Sequence, residues 1–255
     1  MIKLDFIITG TGRCGSLYCS NLFTSLGIPC SHEGVFTHQG LNCALRTISG
    51  EKSLKNSIIS EEEKIKCDES NIRAESSYMA APFIKYFPHS SIIHVIRNPI
   101  KVVSSFISMG FFSKEITPES NPYEYFMHEN MPELKEDIPP LDKACLYWAE
   151  WNSLIEQSGR VDYRQRIEDC KDGLVQFIGA NKTFNLPKVC NASKSLTFNW
   201  SISDIQSPKI KKILKDVASR YGYVKLLTFL CFCQSRLLFE HVVHEALGHL
   251  EGWCS

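Results

Sequence analysis

The hydrophobic pattern of this chain alternates between short solid apolar runs and longer stretches with helical spacing. Residues 2–9 form a β-prone run whose Phe6-Ile7-Ile8 core reads as fully buried. A glycine-rich turn follows, and then residues 16–26, where Leu17, Leu22, Phe23 and Leu26 fall on one helical face. Gly27 stops that helix, and residues 28–30 lead into a second short strand or loop. Residues 71–75 suit a strand, and residues 78–87 carry a helical pattern that ends before Pro88. Ser-Ile-Ile-His-Val-Ile at 91–96 is the most apolar strand pattern in the chain, as expected of a central parallel strand.

Pro99 then stands where a helix begins, and residues 99–108 continue it. Residues 111–140 mix prolines, glutamates and aromatics with weak periodicity and read as an excursion or lid within one domain. Amphipathic helix (143–157), alternating strand (161–167), short helix (172–178) and a last helix (208–221) complete the pattern. This β-α-β-α alternation predicts an α/β fold of three layers (α/β/α), a central mainly parallel sheet between two layers of helices. The domain is expected to span 1–223, with 224–255 an apolar, cysteine-rich extension. Ser60 and the three glutamates after it look like a capped helix start.

Composition narrows the classes without choosing one. The chain has 255 residues, 44% hydrophobic and 22% charged, enough to bury roughly 70–75% of its unfolded surface. Twenty-eight basic residues balance 28 acidic ones, which gives no basic excess for bulk nucleic-acid binding. The 11 cysteines are odd in number and irregularly spaced, with no C-x-x-C pair, so they read as reduced core residues rather than a zinc ribbon or disulfide framework. No signal peptide or membrane span stands out, so the expected location is cytoplasmic. The N-x-[ST] sequons at Asn181, Asn191 and Asn199 are read as chance. His241, Glu245 and His249 share a helical spacing, but the second His comes one position late for a zinc-protease motif, so no metal site is expected.

Chemistry concentrates in two places. Gly10-Thr-Gly-Arg-Cys-Gly-Ser16 sits between a buried strand and a helix, where glycines let the backbone close around an anion. The helix start adds a partial positive charge, Arg13 a full one, and Ser16 a hydroxyl. The loop has the outer glycine spacing of a nucleotide-triphosphatase loop, yet Ser16 and Leu17 stand where that loop needs Lys and Ser or Thr. The second place follows the most apolar strand: Arg97-Asn98-Pro99 and, further along the same helix, Ser105. Arg97 is at a strand's carboxyl end, where open α/β sheets bind ligands.

Together the two segments resemble the sulfotransferase family, whose members use 3′-phosphoadenosine 5′-phosphosulfate (PAPS) as sulfuryl donor. Gly12-Arg13-Cys14-Gly15-Ser16 is similar to the family's loop around the 5′-phosphosulfate. Arg97, Asn98, Pro99 and Ser105 are similar to its 3′-phosphate signature. Ala74-Glu-Ser-Ser-Tyr78, Arg166-Ile-Glu-Asp169 and Tyr221-Gly-Tyr223 extend the resemblance over roughly residues 4–223. It departs at Leu17, where many members carry a hydroxyl, and in lacking a clear late Arg-Lys-Gly segment. Lys188, Ser193 or Lys194 would have to substitute there, and the chain looks closer to the carbohydrate and small-molecule branches.

The resemblance implies a P-loop-like fold and PAPS as co-substrate, without metal. It also implies transfer to a hydroxyl or amine of a carbohydrate or small-molecule acceptor. Gly12, Arg13, Cys14, Gly15, Ser16, Arg97 and Ser105 would hold the donor. Arg13 would also act in catalysis, with a base in the region after the second strand: Glu33 first, His32 second, His38 third, and Glu75 as a rival more suited to shaping the site. Phe111, Phe112, Tyr123 and Tyr125 are candidate acceptor contacts. Lys85 and Lys101 read as solvated, Trp148 and Trp151 as core. A kinase with a degenerate loop and a non-catalytic nucleotide-binding protein are the alternatives.

Overall fold

A computed structural model describes residues 4–36, 71–113, 116–117, 120–169, 172–179 and 198–223. Five strands form one all-parallel sheet: β1 (Phe6–Gly10), β2 (Cys30–His32), β3 (Ala74–Ser76), β4 (Ser91–Ile96) and β5 (Val161–Arg166), in the spatial order β2-β3-β1-β4-β5. Described helices are α1 (Ser16–Ser25), α2 (Pro99–Ser108), α3 (Pro122–Asn130), α4 (Pro140–Gln157), α5 (Asp172–Phe177) and α6 (Pro208–Arg220). The α/β expectation holds.

Alternation along the central strands builds the two faces. Ile7 and Ile92 bury into one apolar cluster with α2, α4 and α6, while Ile8 and Ile93 bury into a second with α1 and α5. Side chains from β1 and β4 thus divide the helices into two layers, and β1, with β3 on one side and β4 on the other, is the middle strand.

Proline opens four of the six helices at their first turn, where its missing N–H costs nothing. Three of these also have a side-chain cap: Asn98, Asn121 and Ser207 accept from Ile100, Glu124 and Ile210 amides. Fully buried Asp142 on α4 accepts from the amides of Gln206 (3.0 Å) and Ser207 (2.7 Å), fastening the start of α6 to α4. Trp148 and Trp151 are fully buried, as expected of core residues.

Several element boundaries differ from the pattern. The run at 78–87 is a 3-10 helix, Tyr78–Tyr86, because Pro82 inside it has no N–H and its ring would collide with the Tyr78 carbonyl in α geometry. The second strand starts at Cys30, where residues 28–30 were expected to lead into it; Pro29 cannot donate to a ladder, and its carbonyl accepts from Arg73 (2.9 Å) and Ala74 (3.1 Å). The long amphipathic helix begins at Pro140, a turn early. The excursion at 111–140 contains α3 and a 3-10 turn, Pro132–Lys135, and Phe112, Phe126, Met127, Met131 and Leu134 from it join the main core. The expected helix start at Ser60 and the extension after Tyr223 lie outside the described residues.

Candidate functional site

The loop between β1 and α1 is shaped by close packing beneath it. A Cβ at Gly10 would stand 2.1 Å from the Val95 carbonyl, so only glycine lets β1 end against β4. Arg13 (φ 66°) and Gly15 (φ 102°) both take left-handed backbone, which tightens the loop. Gly15 caps α1 without a side-chain hydrogen bond, leaving the helix's first turn of amides open as an anion would require.

The loop amides are not all free. The Gly12 amide donates to the buried Tyr147 hydroxyl at 2.9 Å, and the Cys14 amide to the Thr11 carbonyl at 3.2 Å. The Cys14 side chain turns away from the loop's mouth into the α1 cluster, and burial pushes its thiol up to about 12. Its thiol is therefore not a ligand contact, unlike the donor-holding role expected of Cys14.

The second segment meets the first directly. The Arg97 guanidinium donates to the Arg13 carbonyl at 2.8 Å, and Arg13 Nε donates to Ser105 Oγ at 2.9 Å. Arg97 is held from behind: its carbonyl accepts from the Trp148 indole at 3.0 Å, and the next amide, of Asn98, donates to Glu168 at 3.0 Å. Glu168 also accepts from the Tyr223 hydroxyl at 2.7 Å, while Arg166 lies over the Tyr223 ring. The Arg-Ile-Glu-Asp and Tyr-Gly-Tyr segments therefore brace Arg97. Arg13 and Arg97 are both partly buried, and neither forms an ion pair with a carboxylate among the described residues.

A cavity of about 240 Å³ opens at these carboxyl ends. Gly12, Arg13, Gly15, Ser16 and Arg97 line one side of it, and His32 and Glu33 stand at the end of β2. Ser105 is buried behind Arg13 and reaches the site through it.

His32 Nε2 lies 2.9 Å from Ser16 Oγ, and burial lowers the imidazole's proton affinity. Glu33 has φ 53°, which turns its side chain to the cavity, while its amide donates to Ser76. Burial raises the Glu33 carboxyl above its ordinary value, and Arg13 opposes that rise. Glu75 is fully buried in β3 and does not line the cavity. It accepts from the Ser31 hydroxyl and lies near the amides of Val35 and Phe36, so it supports the loop that carries Glu33.

The rest of the described lining is mostly apolar: Leu17 and Tyr18 from α1, and Tyr78, Phe106, Met109, Phe111, Tyr123 and Met127. Two of the four aromatic contacts expected from the excursion, Phe111 and Tyr123, are in it. Phe112 is packed between Phe106 and Tyr147 in the core, and Tyr125 is absent from the lining. Lys85 and Lys101 are exposed and stand outside the cavity lining. His38, Lys188, Ser193, Lys194, His241, Glu245 and His249 lie outside the described residues.

Sequence reading missed Tyr147 and the cavity role of Tyr78. Each sits at an ordinary core position of an apolar run, and only the fold brings Tyr147 to the Gly12 amide, 135 positions away. Among the described residues, no cluster of three or more His, Cys, Asp or Glu could hold a metal ion, and no helix is long and apolar enough to cross a membrane.

No family model and no curated protein matches this chain. Among solved structures, a sulfotransferase from Alicyclobacillus acidocaldarius is similar at 14% identity, covering 89% of this chain and 96% of that one, with a TM-score of 0.45.

Proposed function

We propose that this cavity transfers a sulfuryl group from PAPS to the hydroxyl or amine of a small acceptor. The observation that carries the reading is the convergence of Arg13 and Arg97, two partly buried arginines joined through the Arg13 carbonyl, neither in a direct ion pair with a described carboxylate although Glu33 and Glu168 lie within electrostatic reach. Two cations brought this close, without a directly paired carboxylate, favour an anionic ligand between them. Phosphate and sulfate oxygens match the planar fork of arginine. A donor with phosphate at both ends of its ribose needs two anion subsites, which suits the α1 loop and the Arg97–Ser105 segment. Ser16 and Leu17, in place of the lysine and magnesium-binding hydroxyl of a triphosphatase loop, argue against a kinase.

In this reading Arg13 and the first turn of α1 hold the phosphosulfate, and Arg97 holds the 3′-phosphate, with Ser105 acting through its contact with Arg13. Glu33 accepts the acceptor's proton as the new oxygen–sulfur bond forms. The bond between sulfur and the donor's phosphate oxygen breaks in line, and adenosine 3′,5′-bisphosphate leaves. Arg13 stabilises the charge that develops on the leaving phosphate. His32 keeps the Ser16 hydroxyl aimed across the loop. Glu33 is preferred to His32 as base because the imidazole already has that partner.

Calorimetric titration with adenosine 3′,5′-bisphosphate, beside ATP with magnesium, tests the proposal. Bisphosphate binding weakened by both Arg13→Ala and Arg97→Ala is expected. Folded protein that ignores the bisphosphate and binds ATP with magnesium would overturn it in favour of phosphoryl transfer.

A further inference from the structure

The excursion carries a buried carboxyl that the proposed chemistry does not use. Glu124 stands in the first turn of α3 and is only 2% exposed. Its Oε1 accepts from the Phe112 amide at 2.6 Å, and its Oε2 accepts from the Asn121 side-chain amide at 3.0 Å. No lysine or arginine pairs with it among the described residues. The same Oε1 lies 3.8 Å from His128 Nε2, one turn further along α3. That nitrogen is buried and has no hydrogen-bond partner among the described residues.

Charge around the pair is sparse. Lys143 from α4 acts on both groups, and Lys135 from the 3-10 turn and Glu129 from α3 act on His128. Lys135 and Glu129 are already joined to each other at 2.6 Å. Burial pushes the Glu124 carboxyl up to about 7 and the His128 imidazole down to about 4. Between those values both groups are neutral, so the carboxyl has a proton to give and the imidazole a lone pair to receive it.

What Glu124 grips is the turn that follows α2. Phe112 has φ 64°, a left-handed conformation that a phenylalanine keeps only where its surroundings impose it. Its ring stacks on His128, with centroids 6.3 Å and planes 14° apart, and packs on Tyr147, whose hydroxyl takes the Gly12 amide. Met109 and Phe111, on the same turn, line the cavity.

We infer that Glu124 is a positioning residue: as a neutral acid it latches the 109–113 turn, accepting from the Phe112 amide and donating its proton to His128 Nε2, and it releases the turn when ionised. An ionised Glu124 is a buried charge with no directly paired cation, and opening the turn to water relieves that cost. A raised carboxyl favours the latched form below about 7, and the preference is lost as pH rises through that value. The cavity rim is therefore firm in mild acid and loose in mild alkali, whatever ligand the cavity takes.

Hydrogen–deuterium exchange across residues 109–113 of the full chain, corrected for the base-catalysed intrinsic rate and referred to residues 146–151 of α4, tests the latch. Protection of the turn falls about tenfold between pH 6 and pH 8.5, while the α4 reference holds. Glu124→Gln keeps the protection and makes it level with pH, because its amide donates to His128 and its carbonyl accepts from Phe112. His128→Phe leaves a ring under Phe112 without the acceptor, and lowers protection at pH 6 about fivefold. Wild-type protection that is level with pH, a pH dependence that persists in Glu124→Gln, or protection at pH 6 indifferent to His128→Phe overturns the inference. None of these measurements involves a nucleotide, so their outcome is separate from that of the sulfuryl-transfer proposal.

Discussion

Arg13 Nε and Ser105 Oγ lie 2.9 Å apart although 92 positions separate them in the chain. That contact merges a strand-to-helix loop and the second turn of a later helix into one basic surface. Ser105 is buried and cannot meet a ligand without Arg13 moving or sharing it. Ser105→Ala should therefore weaken adenosine 3′,5′-bisphosphate about fivefold, the loss of one hydrogen bond, while Arg97→Ala should weaken it far more. Calorimetry on the two variants side by side checks the order. No loss in Ser105→Ala would mean that Ser105 only packs.

Glu33 carries a pH signature. Burial raises its carboxyl above the ordinary 4.5, against the pull of Arg13. A base must be ionised to work, so turnover should fall as pH drops through this raised value, and the acid limb of the kcat profile should sit above the usual carboxylate range. Glu33→Gln should lower kcat by ~10²–10⁴ and leave bisphosphate affinity in place. An unchanged kcat would hand the role to His32.

Glu75 should make stability depend on pH without touching chemistry. Burial pushes its carboxyl up to about 7 despite the Ser31 hydroxyl. A raised acid favours folding fully below its unfolded value near 4.5, and the contribution is lost as pH rises through about 7. The loss is of order 3 kcal/mol. The urea midpoint should thus drop between pH 5 and pH 8, and Glu75→Gln should flatten that drop. A wild-type midpoint that is level over this range would refute the assignment.

Tyr147→Phe deletes one oxygen and strands the buried Gly12 amide that donates to it. An unmet buried donor costs ~1–3 kcal/mol, which a denaturant titration would resolve. A loss below that range would show that water replaces the hydroxyl.

The pattern of apolar residues was enough to find the strands that matter, because β1 and β4 are buried on both faces and read as unbroken runs. Short strands were harder: β2 and β3 span three residues each, too few for periodicity to place their ends. The glycine loop, Arg97 and Ser105 were legible because backbone freedom and charge are local properties of a segment. Their arrangement was not, nor was the use of the Gly12 amide by Tyr147. Both depend on which helix the sheet sets behind the loop. The lining of the apolar wall was equally hidden, since nothing along the chain separates Phe111, which faces the cavity, from Phe112, which faces the core.

The middle position of β1 has a cost during synthesis. It is the first of the described strands, yet both its neighbours come much later: Phe6 pairs with Ala74 on one side and with Ser91 on the other. At ribosomal speeds of about 5–20 residues per second, the nascent β1 waits roughly 5–20 s for both partners. During that wait it is a bare apolar strand with two unpaired edges. Substitutions that make 6–10 more apolar would then lower the yield of folded protein without altering the finished molecule's stability, a defect visible in translation and not in refolding equilibria.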